Sequence, residues 1–277
     1  MIFTALCLAS CGQGPKRSSE TKPTRAGDTG PTRDVDLSHV PDPTPKREAK
    51  SRYGNPPVYS VFGKQYHVQP SSVNYHERGI ASWYGQKFHG RRTSNGEVYD
   101  MYQVSAAHKT LPLPTYLRVK NLENGREIVV RVNDRGPFVE NRIIDLSYAA
   151  AYKLDVHRKG TSYVEVKNIE VGELGKPVVA HAARPTRIPV SNAKKPSGWT
   201  LELYLQLGAF QDRGNAEQLK NRLQEKNFSP VRITETTKNN RPLYRVRFGP
   251  LKDVEHLDRV AADMESRGFT QRYVVIE

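Results

Sequence analysis

Proton transfer needs carboxyl or imidazole groups brought together, and three short runs of this chain supply them. Thr93 to Asp100 (TSNGEVYD) sets Glu97 and Asp100 three residues apart beside a glycine, and His108 follows eight residues later. Asn133-Asp134-Arg135-Gly136-Pro137 then closes an apolar run ending at Val132. Carboxyls and histidine are common general acids and bases. Taken singly, each run also reads as ordinary architecture: an exposed ion pair, a structural histidine, a turn. Trp83, Tyr84 and Tyr99 suit sugar stacking and core packing equally. His89 and His108 lack the ligand spacing of a metal site, so neither metal nor cofactor is expected.

These residues need a scaffold, and the surrounding pattern is mostly β. Arg78 to Gly85, Thr115 to Val119 and Glu127 to Val132 alternate as short strands, separated by turns such as Glu123-Asn124-Gly125. Ser147 is placed to cap a helix reaching Leu154, and a last strand is expected from Tyr163 to Val171. About six short strands and one small helix within residues 76–172 imply a compact barrel whose loops carry the polar runs.

The 277 residues carry a formal charge of +14, and its distribution is uneven. Residues 12–75 hold ten basic and six acidic groups, and residues 176–198 hold five basic and none acidic; these two stretches contain 13 of the 19 prolines. The excess therefore lies in segments expected to be disordered tethers (11–75 and 173–197), which argues against nucleic-acid binding. No apolar run of 18 residues exists to span a bilayer, and two cysteines cannot form a disulfide scaffold. Met1 to Ser10 reads as a signal segment, and Leu8-Ala9-Ser10-Cys11 resembles a lipobox, which would make Cys11 an acylated anchor. The segment has no basic residue before Lys16, so the natural start is expected upstream of Met1. The absence of aspartate after Cys11 fits outer-membrane sorting, facing the periplasm.

Residues 198–277 form a second pattern. Leu201, Leu203, Leu205 and Leu207 alternate with polar neighbours, Asp212 is placed to cap a helix bearing Ala216, Leu219 and Leu223, and Val231–Thr236 and Leu243–Phe248 read as strands. A second helix bearing Val254, Leu257, Val260, Ala261 and Met264 stops at Gly268 before a final strand. The order βαββαβ is that of a ferredoxin-like unit, with both helices on one face of an antiparallel sheet. Period two sends Tyr204, Gln206, Arg245 and Arg247 to the uncovered face.

Read together, Gly79–Gly85 (GIASWYG), Phe88–Arg91 (FHGR), Asn95–Glu97, Tyr99–Met101, Ala106–Pro112 (AAHKTLP), Val130–Phe138 (VRVNDRGPF) and Arg142–Ser147 (RIIDLS) resemble the rare lipoprotein A (RlpA) family in order and spacing. That resemblance implies a double-psi β-barrel and an endolytic lytic transglycosylase. Such an enzyme cleaves MurNAc-GlcNAc bonds of peptidoglycan and leaves 1,6-anhydro-MurNAc ends. It further implies Asp134 as first choice for the general acid, with Glu97 as runner-up. Asp100 and His108 would orient the acid, bind sugar hydroxyls or stabilise charge. Gln206–Phe210 (QLGAF), Gly214–Ala216 and Tyr244–Leu251 (YRVRFGPL) resemble a SPOR domain. This implies a glycan-binding surface of Tyr204, Gln206, Phe210, Arg245 and Arg247 for denuded strands at the division septum, alongside division-machinery proteins. The competing expectation is a non-catalytic, septal, glycan-binding scaffold lipoprotein.

Overall fold

A computed structural model of the protein describes residues 28–33, 35–171 and 201–277. The signal segment, Cys11 and the linker 173–197 lie outside the described residues.

The barrel is built from β3 (His76–Tyr84), β4 (Ser105–His108), β5 (Thr115–Asn121), β6 (Glu127–Asp134), β7 (Arg142–Ser147) and β8 (Ser162–Asn168), closed in the order β3-β7-β4-β6-β5-β8. Two parallel pairings, β3 with β7 and β4 with β6, interlock within an otherwise antiparallel ring. Alternate residues fill the interior: Leu117 and Val119, Val130 and Val132, Ile144 and Leu146, Val164 and Val166 are buried in one cluster. Each contributes about 1.5–3 kcal/mol by leaving water. The helix α1 (Tyr148–Lys153) follows β7 directly, capped as expected by Ser147, whose side chain accepts from the Ala150 amide.

The expected tether of residues 11–75 is corrected over its described part, because residues from Asp28 onward wrap the barrel as a belt. Asp28 accepts from the Gly85 and Lys87 amides, Leu37 and Val40 enter the barrel core, and Asp42 accepts from the Val129 amide. Glu48 pairs with Arg131, and Ser51 donates its amide to the Leu113 carbonyl. The belt ends in a hairpin of β1 (Val58–Val61) and β2 (Lys64–His67). It packs through a few apolar side chains and many backbone hydrogen bonds, which composition does not reveal.

The second domain has the expected βαββαβ order: β9 (Leu203–Phe210), α2 (Arg213–Glu225), β10 (Val231–Lys238), β11 (Arg241–Leu251), α3 (Val254–Ser266) and β12 (Tyr273–Ile276). Its sheet is antiparallel in the order β10-β11-β9-β12, and both helices pack on the face carrying Leu203, Leu205, Val246 and Phe248. Asp212 and Asp253 cap the helices by accepting from the Asn215 and His256 amides. The domain docks on the barrel: Ile80 of β3 is buried in its apolar cluster, Arg142 pairs with Asp258 at 2.7 Å, and Arg272 pairs with Glu140 at 2.5 Å.

Candidate active site and glycan-binding face

Four adjacent barrel strands place Ser82, Asp145, Ala107 and Asp134 in a single row: Ser82 is in register with Asp145, Asp145 with Ala107, and Ala107 with Asp134. Neighbours in register share a face, so the two aspartates flank Ala107 with α-carbons about 10 Å apart. The row lies outside the barrel core, because the adjacent Ala81, Ala106, Ile144 and Leu146 fill the interior. Tyr84, Tyr99 and Met101 form a small apolar cluster with Ala107 beside it. Tyr84 stacks on Tyr99 at 4.2 Å.

The two aspartates have opposite surroundings. Burial pushes the Asp145 carboxyl up to about 6, against the hydrogen bond from Ser82 and the nearby charges of Lys109 and Arg142. Lys109 is itself lowered to about 8 by burial, and its ammonium donates to the Arg142 carbonyl at 2.5 Å. Asp134 instead gathers donors on one oxygen: the Ser94 amide at 2.8 Å, the Ser94 hydroxyl at 2.6 Å and the Arg135 amide at 2.7 Å. Three donors hold that oxygen of Asp134 in place as an acceptor, whereas a half-buried carboxyl with a raised pKa, such as Asp145, keeps a proton to give.

Glu97 lies next to Asp134 along the chain path, since Asn133 donates to Glu97 at 2.8 Å. Burial of Glu97 is outweighed by hydrogen bonds from Arg131, Asn133 and Asn95, which hold its pKa below the usual carboxylate value. Arg131 contacts both Glu97 oxygens at 2.9 Å and is held from its other side by Glu48 of the belt. A carboxylate so clamped suits organising β6 and the 93–97 turn.

Asp100 accepts from the Tyr102 amide and lies 3.6 Å from His89 Nδ1. That nitrogen also accepts from the Met101 amide at 3.2 Å.

His108, expected to orient the acid, bind sugar hydroxyls or stabilise charge, sits in a network of its own. It is buried, and desolvation lowers its pKa to about 3. Nδ1 accepts from the Thr110 and Leu111 amides, which leaves the proton on Nε2 to donate to Tyr75, and Tyr75 donates to Glu77 at 2.6 Å. His108 is a neutral brace of the 108–113 loop with both nitrogens engaged. Of the four residues singled out from sequence, Asp134 and Glu97 are both tied to the 93–97 turn, Asp134 through Ser94 and Glu97 as its last residue; Asp100 and His108 belong to other networks.

Comparison with known proteins agrees with this architecture. The family model described as "Lytic transglycolase" matches residues 76–166, and the SPOR domain model matches residues 202–275. The chain is 39% identical over 266 residues to "Endolytic peptidoglycan transglycosylase RlpA" of Pseudomonas aeruginosa (strain UCBPP-PA14), covering 82% of this chain and 77% of that one. The chain belongs to the RlpA family. A Vibrio cholerae RlpA is 39% identical over 240 residues, covering 87% of this chain and 84% of its own length. The crystal structure of the RlpA SPOR domain from Pseudomonas aeruginosa is 34% identical and covers 26% of this chain and 96% of its own, with a TM-score of 0.25.

In this RlpA-family chain the uncovered sheet face of the SPOR domain carries Tyr204, Gln206, Arg245 and Arg247. Gln206 and Arg247 are in register, and Arg245 reaches the Gln206 side-chain oxygen at 3.4 Å. They are more enclosed than an open platform implies: Gln206 is 9% and Arg247 8% exposed. Arg247 pairs with Glu277 at 2.5 Å, and Tyr204 donates to Glu202.

Phe210 is not on this face, and the reason is a β-bulge. Val246 pairs with Gly208 but Arg247 pairs with Gln206, so Leu207 is an extra residue and the alternation flips beyond it. Phe210 returns to the helix side against Leu219, and a β-carbon on Gly208 would lie 2.5 Å from its ring. Sequence reading missed Tyr273, which is in register with Gln206 and 69% exposed. Its position two residues before the edge-strand Val275, opposite Tyr204, was the available signal.

Proposed function

We propose that this chain is an endolytic peptidoglycan lytic transglycosylase that cuts MurNAc-GlcNAc bonds, preferring strands without stem peptides. The observation that carries the reading is the Ser82–Asp145–Ala107–Asp134 row, in which one carboxyl is desolvated and one is fixed as an acceptor. Asp145 is the general acid, in place of Asp134 as first expected from sequence. Its proton passes to the glycosidic oxygen as the bond from C1 breaks. Positive charge develops at C1, where the Asp134 anion and the aspartate just formed both stabilise it. The Asp145 carboxylate then takes the proton of the muramyl C6 hydroxyl while O6 bonds to C1. The 1,6-anhydro ring closes, Asp145 regains its proton, and no water is consumed. A single group serves as acid and then base, which a pKa near 6 permits.

Glu97 and Arg131 hold the Asn133–Asp134 strand end, and Asp100 holds the Asp100–Tyr102 turn. On the SPOR domain, Tyr204, Gln206, Arg245, Arg247 and Tyr273 contact pyranose faces and amide and lactyl oxygens of denuded strands. Acylated Cys11 tethers the protein in the cell envelope, at the outer membrane and enriched at the septum.

The test is to digest peptide-free glycan strands with the chain from Gly12 onward and to analyse the soluble products by mass spectrometry. Products ending in 1,6-anhydro-MurNAc are expected. Reducing ends would mean hydrolysis, and binding without products would favour the scaffold reading.

A further inference from the structure

The belt and hairpin lie upstream of the residues matched by the barrel family model, yet they approach the catalytic row closely. Arg135, which follows Asp134, donates to the Gly54 carbonyl at 2.8 Å and to Asn55 at 3.2 Å. The Tyr59 hydroxyl donates to the Lys109 carbonyl at 2.7 Å, and the Arg135 guanidinium lies 5.9 Å from the Tyr59 ring centre. Tyr59 and Tyr66 stack across the hairpin at 5.2 Å, and both rings contact Phe138. Phe138 lies two residues beyond Gly136, which borders the Asp145 carboxylate: a β-carbon there would be in ordinary contact with it, at 3.7 Å.

The tip of this hairpin is the unusual feature. Val61 pairs with Lys64, so the turn is Phe62-Gly63, and both residues have positive φ, +49° and +75°. A two-residue turn of this kind selects Asn, Asp or Gly at its first position, and a bulky aromatic is disfavoured there. Phe62 nevertheless occupies it with 38% of its surface exposed, edge-on to Phe138 at 6.5 Å. Buried packing does not explain a residue kept in a conformation it disfavours; strain of this kind is a pointer to binding. At the other end of the segment Tyr53 is 59% exposed, against the Gly96 turn, whose Ser94 fixes Asp134.

We infer that Phe62 and Tyr53 are sugar-stacking subsites that flank the Asp134–Asp145 row. Their ligand is a β-1,4-linked N-acetylhexosamine strand, whose pyranose faces lie on the two rings. The inference rests on the proposed glycan-cleaving function and adds a wall that the barrel alone does not provide.

Hydroxyl-radical footprinting of the full chain with and without peptide-free glycan strands tests it, together with cleavage kinetics of Phe62→Asn and Tyr53→Ala. Both rings are expected to be protected from oxidation by the strands. Phe62→Asn should raise KM about three- to tenfold, the worth of one ring contact, with kcat within about twofold. Its melting temperature should be kept or raised, because asparagine accepts a positive φ more readily. Unprotected rings and an unchanged KM, with the parent chain still cutting, would overturn the subsites and leave the transglycosylase reading standing. Protected rings in a chain that releases no product would uphold the subsites and overturn the catalytic reading.

Discussion

The Ser82–Asp134 row of the barrel and the SPOR sheet face both collect polar residues on the outside of a sheet, yet they treat charge in opposite ways. In the barrel, burial acts on single groups: Asp145 is raised to about 6, Lys109 lowered to about 8 and, in its separate network, His108 lowered to about 3. On the sheet face, Arg247 pairs with Glu277, Arg245 with Gln206 and Tyr204 with Glu202. A desolvated single carboxyl can release and recover a proton near neutral pH, whereas a paired surface presents fixed geometry to a ligand. Chemistry and grip are thus separated between the two domains.

The sharpest way to break this contrast is Asp145→Asn. It should lower the rate of anhydro-product release by about 10²–10⁴-fold, the usual worth of a general acid, while binding of peptide-free strands in a pull-down stays unchanged. Retained activity would return the acid role to Asp134.

Next in size is acid stability of the barrel. His108 has a folded pKa of about 3 against an ordinary 6.5, so the folded state takes up its proton later than the unfolded chain. This stability is fully present above pH 6.5 and is lost as pH falls through that window towards 3, at up to about 1.4 kcal/mol per pH unit. Asp145, raised to about 6, contributes the opposite slope below pH 6, so the His108 share is read as the difference between the urea midpoints of the parent chain and of His108→Gln from pH 7 to pH 4, which should shrink as pH falls.

On the sheet face, Gln206→Ala with Arg245→Ala should weaken strand binding about tenfold and abolish septal enrichment, while kcat on saturating glycan is unchanged. A loss of kcat would show that the faces are not separable.

The smallest effect belongs to Ser82→Ala. The Ser82 hydrogen bond lowers the Asp145 pKa, so its removal should move the alkaline limb of the rate profile upward by less than about one pH unit.

The sequence disclosed these two regions unequally. Strand and helix order in the SPOR domain followed from Leu203, Leu205 and Leu207 and from Asp212 and Gly268, because one buried face imposes a period. In the barrel, β5, β6 and β8 were legible for the same reason. Ser105–His108 was not, because all four of its residues are buried and no alternation remains. Asp145 stood within a quoted motif, but its importance comes from a row crossing four strands, which a linear reading does not contain. Phe210 was misplaced by one inserted residue at Leu207, since a bulge reverses every side chain beyond it. The belt was hidden because Leu37 and Val40 are isolated apolar residues in a Pro-rich run, and its other anchors are backbone groups and single acids such as Asp42 and Glu48.

The central claim is that one desolvated carboxyl, Asp145, acts first as acid and then as base. The most direct measurement is the pH dependence of kcat/KM for release of 1,6-anhydro ends from peptide-free glycan strands between pH 4.5 and 8. The account predicts a rate that falls as pH rises through about 6, because the acid must be protonated to start the reaction. A rate that stays level from pH 5 to pH 8 would contradict it.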